Sequence, residues 1–328
     1  MSGNNSKKTG ISSLMGLGLT AGCFMGAMGL AQSAQATLIH EYSFNSGVIN
    51  PSSGAYTTPD SVGGASYAAT IMGSGSISGG QAILTNSSSS GPAGNEYVSV
   101  PVSALPSASS SLTFEEWFTT GTNGAHTQNL ALNSDTLATS TDAIATGAGA
   151  TAESYFFITQ DNGSYGSRTG MSPGGYTNEK VGVNSLGTGS PTNADYLSKL
   201  VNGQAVQHMV TTVINNTAST PDPYGTITYY VDGVLQGTAA QTATDNWSAL
   251  QSTFTNMWLG RSAFTGDPMF NGSVNEFRIY NNALSGSQVA ADAAAGPNTV
   301  LTPEPASLAL FGVAGASLLL IRRRRAAV

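Results

Sequence analysis

The sequence is poor in cysteine and in charged residues. Its 328 residues include one cysteine, Cys23, and only 9% of the residues are charged. A single cysteine excludes a disulfide within the chain, although small exported domains often depend on one. The 266 residues from Thr37 to Thr302 are enough to bury a sizeable core without it. Serine, threonine, asparagine and 40 glycines take the place of charges, which favours an all-β protein with many turns.

Basic residues are also few, and they are concentrated at the two ends. Six of the 11 Lys and Arg residues lie there, so Thr37–Thr302 keeps five against 17 acidic residues, a net charge of about −12. This segment has no basic cluster. The balance argues against binding to nucleic acid, or to an anionic membrane surface, through a Lys/Arg patch.

The N-terminus has the pattern of a signal peptide, residues 1–36. Lys7 and Lys8 precede an apolar run over Leu14–Ala31, and Ala34-Gln35-Ala36 supplies a small-residue cleavage site. Cleavage is expected after Ala36. The run is longer than usual, which leaves an uncleaved anchor open. A lipid anchor at Cys23 is a minor alternative.

The C-terminus, residues 299–328, has three parts. A Pro-x-Pro element cannot lie inside a helix. The uncharged run Ala306–Ile321 follows, 16 residues or about 24 Å if helical, a short membrane span. A basic cluster then holds its end on the cytoplasmic side. The residues that define this tail are Pro303, Glu304, Pro305, Arg322, Arg323, Arg324 and Arg325.

Between the ends, residues 37–298 read as one domain built from strands. Alternating or β-rich runs predict strands at Leu38–Phe44, Ala68–Met72, Gln81–Leu84, Glu96–Val100, Ser111–Phe118, Gln128–Asn133, Tyr155–Ile158, Lys180–Asn184, Val206–Val213, Thr226–Val231, Val234–Gly237, Asn256–Gly260 and Gly272–Tyr280. Asp232-Gly233 between two runs predicts a tight hairpin. Asp161–Gly189 is otherwise interpreted as a polar loop, and Asp195–Val201 as a helical turn or two. Ser285 is expected to cap a short helix over Gln288–Ala295. The pattern predicts a two-sheet antiparallel sandwich.

These runs resemble a known family. They fall in the order of a laminin-G-like (concanavalin A-like lectin/glucanase) jelly roll, and the resemblance is strongest from Thr226 onward. It implies a jelly-roll sandwich and a carbohydrate-binding or related role. Asn275 stands where an acidic residue is common, and the region Asn123–Val201 is longer than usual. The stretches that carry the resemblance are Gly79–Leu84, Tyr97–Val100, Phe114–Phe118, Gln207–Val210, Tyr230–Gly233, Leu259–Ser262 and Phe270–Ser285.

The tail is similar to a PEP-CTERM sorting signal in all three of its parts. That resemblance implies recognition by an exosortase-type membrane protease and transient anchoring in the inner membrane. Delivery to the cell surface or exopolysaccharide of a Gram-negative-type bacterium would follow. The alternative is an ordinary C-terminal anchor that is retained.

Catalytic motifs are weak. A glycosidase needs two carboxylates about 5 to 9 Å apart, and on one strand these stand at i and i+2. Glu115 and Glu116 are adjacent, whereas Glu276 has no acidic residue two positions away. Gly170–Gly174 matches G-x-S-x-G, but Pro173 lacks the N–H that an oxyanion hole requires. The three histidines, His40, His126 and His208, are too far apart in sequence to form a metal pair.

Two ligand expectations remain. The resemblance implies a calcium ion, and Asp222 and Asp267 lie in loops that could hold it, although solvated carboxylates are the plainer interpretation. Trp247, in a polar stretch, is the best candidate for an exposed aromatic contact to a sugar, although core packing is favoured even there.

The sequence therefore predicts an exported, non-catalytic binding or matrix protein with carbohydrate as the favoured ligand. A structural or adhesive surface protein with a protein partner is the first alternative. A polysaccharide-active hydrolase is the second.

Overall fold

The structure is a computed structural model that describes residues 36–50, 54–86, 96–108, 110–121, 128–133, 154–162, 166–173, 181–184, 197, 204–262 and 269–301. All of these lie in one compact unit, Ala34–Val328. The signal peptide before Ala36, the sorting motif, Asp267, His126 and most of the predicted helical turn at Asp195–Val201 fall outside the described residues. Within the described ranges, no helix is both long and apolar enough to span a bilayer.

The fold is an antiparallel β-sandwich, as the strand pattern predicts. Its strands in chain order are β1 Leu38–Tyr42, β2 Val48–Ile49, β3 Tyr56–Thr58, β4 Ala69–Met72, β5 Ser76–Ser78, β6 Gln81–Thr85, β7 Tyr97–Val100, β8 Leu112–Thr120, β9 Gln128–Asn133, β10 Tyr155–Asn162, β11 Gly166–Ser172, β12 Val181–Asn184, β13 Gln207–Asn215, β14 Thr226–Val231, β15 Val234–Ala240, β16 Asn256–Leu259 and β17 Asn271–Tyr280. The helices are α1 Trp247–Leu250 and α2 Gly286–Ala295, with 3₁₀ turns at Ala65–Tyr67, Val102–Ala104 and Gln251–Thr253.

The strands form two sheets. Sheet A has the order β15-β14-β13-β8-β17-β6-β5, and β1 pairs with the C-terminal part of β17. Sheet B has the order β12-β11-β10-β9-β16-β7-β4-β3-β2. Strand β8 lies at the centre of sheet A between β13 and β17, each pairing antiparallel. This position decides the environment of every side chain on β8.

The core lies between the sheets and is rich in aromatic side chains. Phe114 of β8 packs 5.5 Å from Phe156 of β10 and 6.0 Å from Phe277 of β17, measured between ring centroids. Trp247 of α1 closes this cluster, with centroids 5.8 Å from Phe114 and 5.7 Å from Phe156. Trp247 is fully buried. The core packing favoured for Trp247 is therefore found, and the exposed sugar contact is not: the polar stretch around it forms a short helix capped by Asn246, and that helix turns the indole inward.

Most of the predicted strands, the hairpin and the capped helix are confirmed. Asp232 and Gly233 both have positive φ, 49° and 78°, as a tight hairpin turn of this kind requires. Ser285 caps α2 in a capping box with Gln288.

The loop interpretation of Asp161–Gly189 is wrong in part. Its residues 166–172 form β11, which pairs with β10 and β12 on its two sides. Glycine and serine give this strand little apolar alternation of its own. Its two neighbours supply the hydrogen bonds that hold it in the sheet.

Helix α2 covers part of the outer face of sheet A. Val289 of α2 packs in a second apolar cluster with Trp117 of β8 and with Met209 and Val213 of β13. This cluster is separate from the core between the sheets, and a candidate site lies at its edge.

Candidate ligand-binding pocket

A pocket of about 240 Å³ opens between α2 and the outer face of sheet A. We call it the α2 pocket. Its lining combines one indole, one imidazole, one carboxylate, one carboxamide and the small side chains of the helix. The lining residues are Trp117, Gln207, His208, Met209, Asp232, Ala290, Ala293, Ala294 and Gly296. Such a mixture of apolar surface and a few placed polar groups is typical of small-molecule sites.

Strand order brings these residues together. Trp117 of β8 lies opposite Met209 of β13 in register. Asp232 follows β14, the next strand in the sheet, and its backbone N–H donates to the Met209 carbonyl over 2.8 Å. Alternation along β8 then directs Trp117 to the outer face, since Phe114 and Phe118 occupy the inner one.

The polar side of the pocket is a histidine–aspartate pair. His208 Nδ1 lies 2.8 Å from Asp232 Oδ2, and Asp232 Oδ1 accepts the Met209 N–H over 2.8 Å. Both side chains are partly accessible, 17% for His208 and 49% for Asp232. The carboxylate is thus held in place by two bonds and still faces solvent.

The hairpin turn after β14 contacts α2 through a glycine. A Cβ added to Gly233 would lie 2.9 Å from Ala293 Cβ and 3.0 Å from Ala290 Cα. Position 233 therefore requires glycine for two reasons, its positive φ and this close approach to the helix. The contact fixes the distance between the helix and the His208–Asp232 pair.

Behind the pocket, a buried ionic cluster links sheet A to α2. Arg278 of β17 is fully buried, and its Nε donates to Glu276 Oε1 over 2.7 Å. Its Nη1 lies 3.9 Å from Glu115 Oε2 and 4.0 Å from Asp292 Oδ1. The guanidinium carbon is 4.4 Å from the centroid of the Trp117 ring, within cation–π range. The cluster thus supports the indole that lines the pocket.

The cluster holds three carboxyl groups and one guanidinium, so it cannot be neutral with every carboxyl ionised. Burial raises the pKa of Glu115 to about 8, and the charge of Asp292 adds to this effect. Burial also raises the pKa of Asp292. Burial and a hydrogen bond to Glu41 raise the pKa of Glu276 to about 7, and they outweigh the short bond to the guanidinium, which lowers it.

The sequence did not predict this grouping of carboxylates. Glu115 and Arg278 are direct cross-strand partners, and Glu276 pairs with Trp117 after a β-bulge. Spacing along one strand could not show it, because β8 and β17 are about 160 residues apart. Both glutamates are fully buried, so a polysaccharide has no path to them.

Glu116 lies on the other side of β8, inside the sandwich, as the opposite-face prediction requires. Its in-register neighbours are Val210 of β13 and Phe277 of β17, both members of the core. Neither of its carboxylate oxygens has a hydrogen-bond partner among the described residues. Burial raises the pKa of Glu116 to about 8.

The remaining predicted residues lie apart from the α2 pocket. Gly170, Met171 and Ser172 belong to β11, so the G-x-S-x-G match lies largely on a strand and not in a loop. His40 is buried and pairs with Asp60, whose carboxylate also accepts the N–H groups of Glu41, Val62 and Gly63.

The described residues contain no group of three or more acidic, histidine or cysteine side chains able to hold a metal. The Asp222 carbonyl accepts the N–H groups of Ser219 and Gly225 within its own turn. Asp60, with its oxygens already bonded to N–H donors, does not fit a cation either. Calcium stays a prediction from the resemblance.

Comparison with solved structures gives distant likenesses. One is domain 4 of AbnA, a GH43 extracellular arabinanase from Geobacillus stearothermophilus in complex with arabinotriose. It has a TM-score of 0.45 and 16% identity over 78% of this chain and 98% of that one. A second is the CBM40 of the Ruminococcus gnavus IT-sialidase bound to α2,6-sialyllactose, with a TM-score of 0.37 and 17% identity over 56% of this chain and 82% of that one. A third is the binding domain of botulinum neurotoxin serotype D/C, with a TM-score of 0.46 and 13% identity over 77% of this chain and 51% of that one.

A search of curated protein sequences finds no match. A family profile does match, and it covers the strands that build the α2 pocket together with the start of the helix that closes it. The match to Laminin_G_3 spans residues 92–290, more than half of the chain, and the chain therefore belongs to the concanavalin A-like lectin/glucanases superfamily.

Proposed function

We propose that this protein is an exported, non-catalytic carbohydrate-binding protein that holds a sugar residue in the α2 pocket. One observation carries the proposal: Gln207, the His208–Asp232 pair and the alanines of α2 line a single pocket over the buried indole of Trp117, on a domain of the lectin/glucanase superfamily. The alanines offer apolar contact, and the polar side chains orient hydroxyl groups.

The size of the pocket matches a short ligand segment. Its volume of about 240 Å³ is slightly below the roughly 300–1,000 Å³ usual for small-molecule sites. A single sugar residue, at a chain end or in a branch, suits this space better than a long stretch of polymer.

A non-catalytic role is supported by the positions of the carboxylates. A glycosidase presents two carboxyl groups to the same bond of the substrate. Here Glu115 and Glu276 are fully buried, and Glu276 is paired with Arg278. A hydrolase that used these two carboxyl groups would first have to expose them to its substrate.

Export and sorting complete the proposal. We infer that residues 1–36 direct export and that the Pro303–Pro305 motif, the apolar run and Arg322–Arg325 form a PEP-CTERM sorting signal. An exosortase-type membrane protease would release the domain from its transient anchor. Its destination would be the cell surface or exopolysaccharide of a Gram-negative-type bacterium.

Adhesion to a protein is the second candidate. Val234 and Leu235 are 63% and 56% exposed on β15, the edge strand of sheet A next to the pocket. An exposed apolar edge can accept an added strand from a partner.

A glycan array of neutral, amino and acidic glycans, including the host exopolysaccharide, tests the proposal. Ala290→Met should fill the α2 pocket and weaken sugar binding about tenfold or more. Ala291→Met is the matched control, because Ala291 is exposed on the same helix and does not line the pocket. Binding to no glycan would contradict the proposal. Equal binding by both variants would place the sugar elsewhere.

A further inference from the structure

The charged and hydrogen-bonding groups of the α2 pocket specify the chemistry of its ligand. We propose that the pocket selects a sugar residue that presents a protonated amino group and rejects one that presents a carboxylate. This inference rests on the proposed function and narrows it to one class of carbohydrate.

The pocket is rich in acceptors. Asp232 uses one oxygen for the Met209 N–H and the other for His208 Nδ1, which leaves about two of its four lone-pair sites. A ligand that donates hydrogen bonds satisfies the lone pairs of Asp232 that remain. An ammonium group bound to a carboxylate makes a charge-assisted bond, stronger than the bond from a hydroxyl.

The described part of the pocket also lacks a strongly basic side chain that would hold an anion. No lysine or arginine is among the described residues that line it. Of the three basic residues described between Thr37 and Thr302, Arg278 is buried in its ion cluster. Arg261 is 2% exposed, with its guanidinium carbon 4.6 Å from the Tyr97 ring and 4.5 Å from the Trp258 ring. The third, Arg168 of β11, lies in the other sheet, with its guanidinium carbon 5.2 Å from the Phe157 ring.

The charge of the whole segment acts in the same direction. Thr37–Thr302 carries a net charge of about −12, so an acidic glycan approaches against the field of the protein. A cationic sugar is attracted by that field and then meets Asp232. Both effects weaken as salt is added, because exposed charges are screened over about 10 Å at 0.1 M ionic strength.

Three tetrasaccharides with one β-1,4-glucan backbone test this selectivity. They carry on carbon 5 a hydroxymethyl group, an aminomethyl group or a carboxylate. Titration calorimetry with the purified full-length chain at pH 7.5 and low salt should give the tightest binding for the amino form. We expect about fivefold weaker binding for the neutral form and at least tenfold weaker binding for the acidic form than for the amino form.

Asp232→Asn is the deciding variant. Asparagine tolerates the positive φ of this turn and keeps an acceptor for the Met209 N–H. It should bring the ratio of the affinities for the amino and neutral forms close to one, while the neutral form still binds. Asp222→Asn removes the same charge outside the pocket and should leave the ratio unchanged.

The outcomes separate the two proposals. If the acidic form binds as tightly as the neutral one, or if Asp232→Asn keeps the preference for the amino form, the selectivity inference is overturned and carbohydrate binding stands. If no tetrasaccharide binds, carbohydrate binding in the α2 pocket fails together with the inference.

Discussion

The carboxyl group of Glu116 lies in an apolar core, and the free-energy cost of burying it depends on pH. Its pKa is raised by burial to about 8, whereas an unfolded glutamate titrates near 4.3. Between these values the folded state binds more protons than the unfolded state. The free energy of unfolding therefore falls as pH rises through this window, by about 1.4 kcal/mol per pH unit for one such group.

Glu116→Gln should remove the pH dependence that this one carboxyl group adds to the free energy of unfolding. We expect the variant to be more stable than the parent by a few kcal/mol at pH 8–9, with little difference at pH 5. Urea unfolding at pH 5, 7 and 9 measures this. Asp222→Asn, a control outside the core, should follow the parent at every pH. A variant whose stability changes with pH as steeply as the parent's would show that Glu116 is not the titrating group.

At the residue scale, the sequence predicted which face of a strand a side chain occupies but not which other side chains it contacts. The opposite orientation of Glu115 and Glu116 followed from strand alternation and is confirmed. The approach of Glu276, Arg278 and Asp292 to Glu115 was missed, because it depends on which strands pair. Core packing was favoured for Trp247 and is found, but the short helix that turns it into the core was not predicted, because its polar neighbours carry no signal for it.

At the scale of elements, the contact between the hairpin turn and α2 shapes the pocket. Gly233→Ala would place a methyl group 2.9 Å from Ala293 Cβ at a residue with φ of 78°. We expect a loss of about 1–2 kcal/mol in the free energy of unfolding, from backbone strain and the displaced helix. Sugar affinity should fall as well, because the turn carries Asp232.

Gly237→Ala is a suitable comparison for Gly233→Ala. Gly237 lies in edge strand β15, away from α2, and its added Cβ would meet only a side-chain atom of Val183. It should leave sugar binding intact. If Gly233→Ala binds sugar as the parent does, the turn–helix contact does not set the geometry of the pocket.

The elements that carry a local sequence signal were the ones that the sequence predicted well. The Asp-Gly hairpin and the helix capped by Ser285 carry local signals, and both are confirmed. Strand β11 has the composition of a loop and exists because β10 and β12 bond to both its edges. Local pattern reports what a segment prefers, and pairing decides what such a weakly patterned segment becomes.

At the scale of the whole molecule, the two ends are proposed to decide where the domain goes. Mass spectrometry of the surface fraction should find a mature protein that starts near Thr37 and lacks Ala306–Val328. Replacing Arg322–Arg325 by alanine should reduce the surface form and leave export through the signal peptide intact. Replacing Ser287 by alanine should change neither step. A surface protein that retains the apolar run would mean that the tail is a permanent anchor.

The α2 pocket itself is formed only by the complete fold. Its residues come from β8, from β13, from the turn after β14 and from α2, positions spread between Trp117 and Gly296. The strand order β14-β13-β8 and the helix that covers it bring them together. No spacing in the sequence relates Trp117 to Asp232, so the fold class was predictable and the pocket was not.

Carbohydrate binding in the α2 pocket is the central claim, and NMR mapping tests it most directly. The amide spectrum of the protein is recorded as the amino, neutral and acidic tetrasaccharides are added. We predict shifts at Gln207–Met209, Asp232, Gly233 and Ala290–Gly296, together with the indole N–H of Trp117. Shifts confined to other surfaces, or no shifts with any of the three sugars, would contradict it.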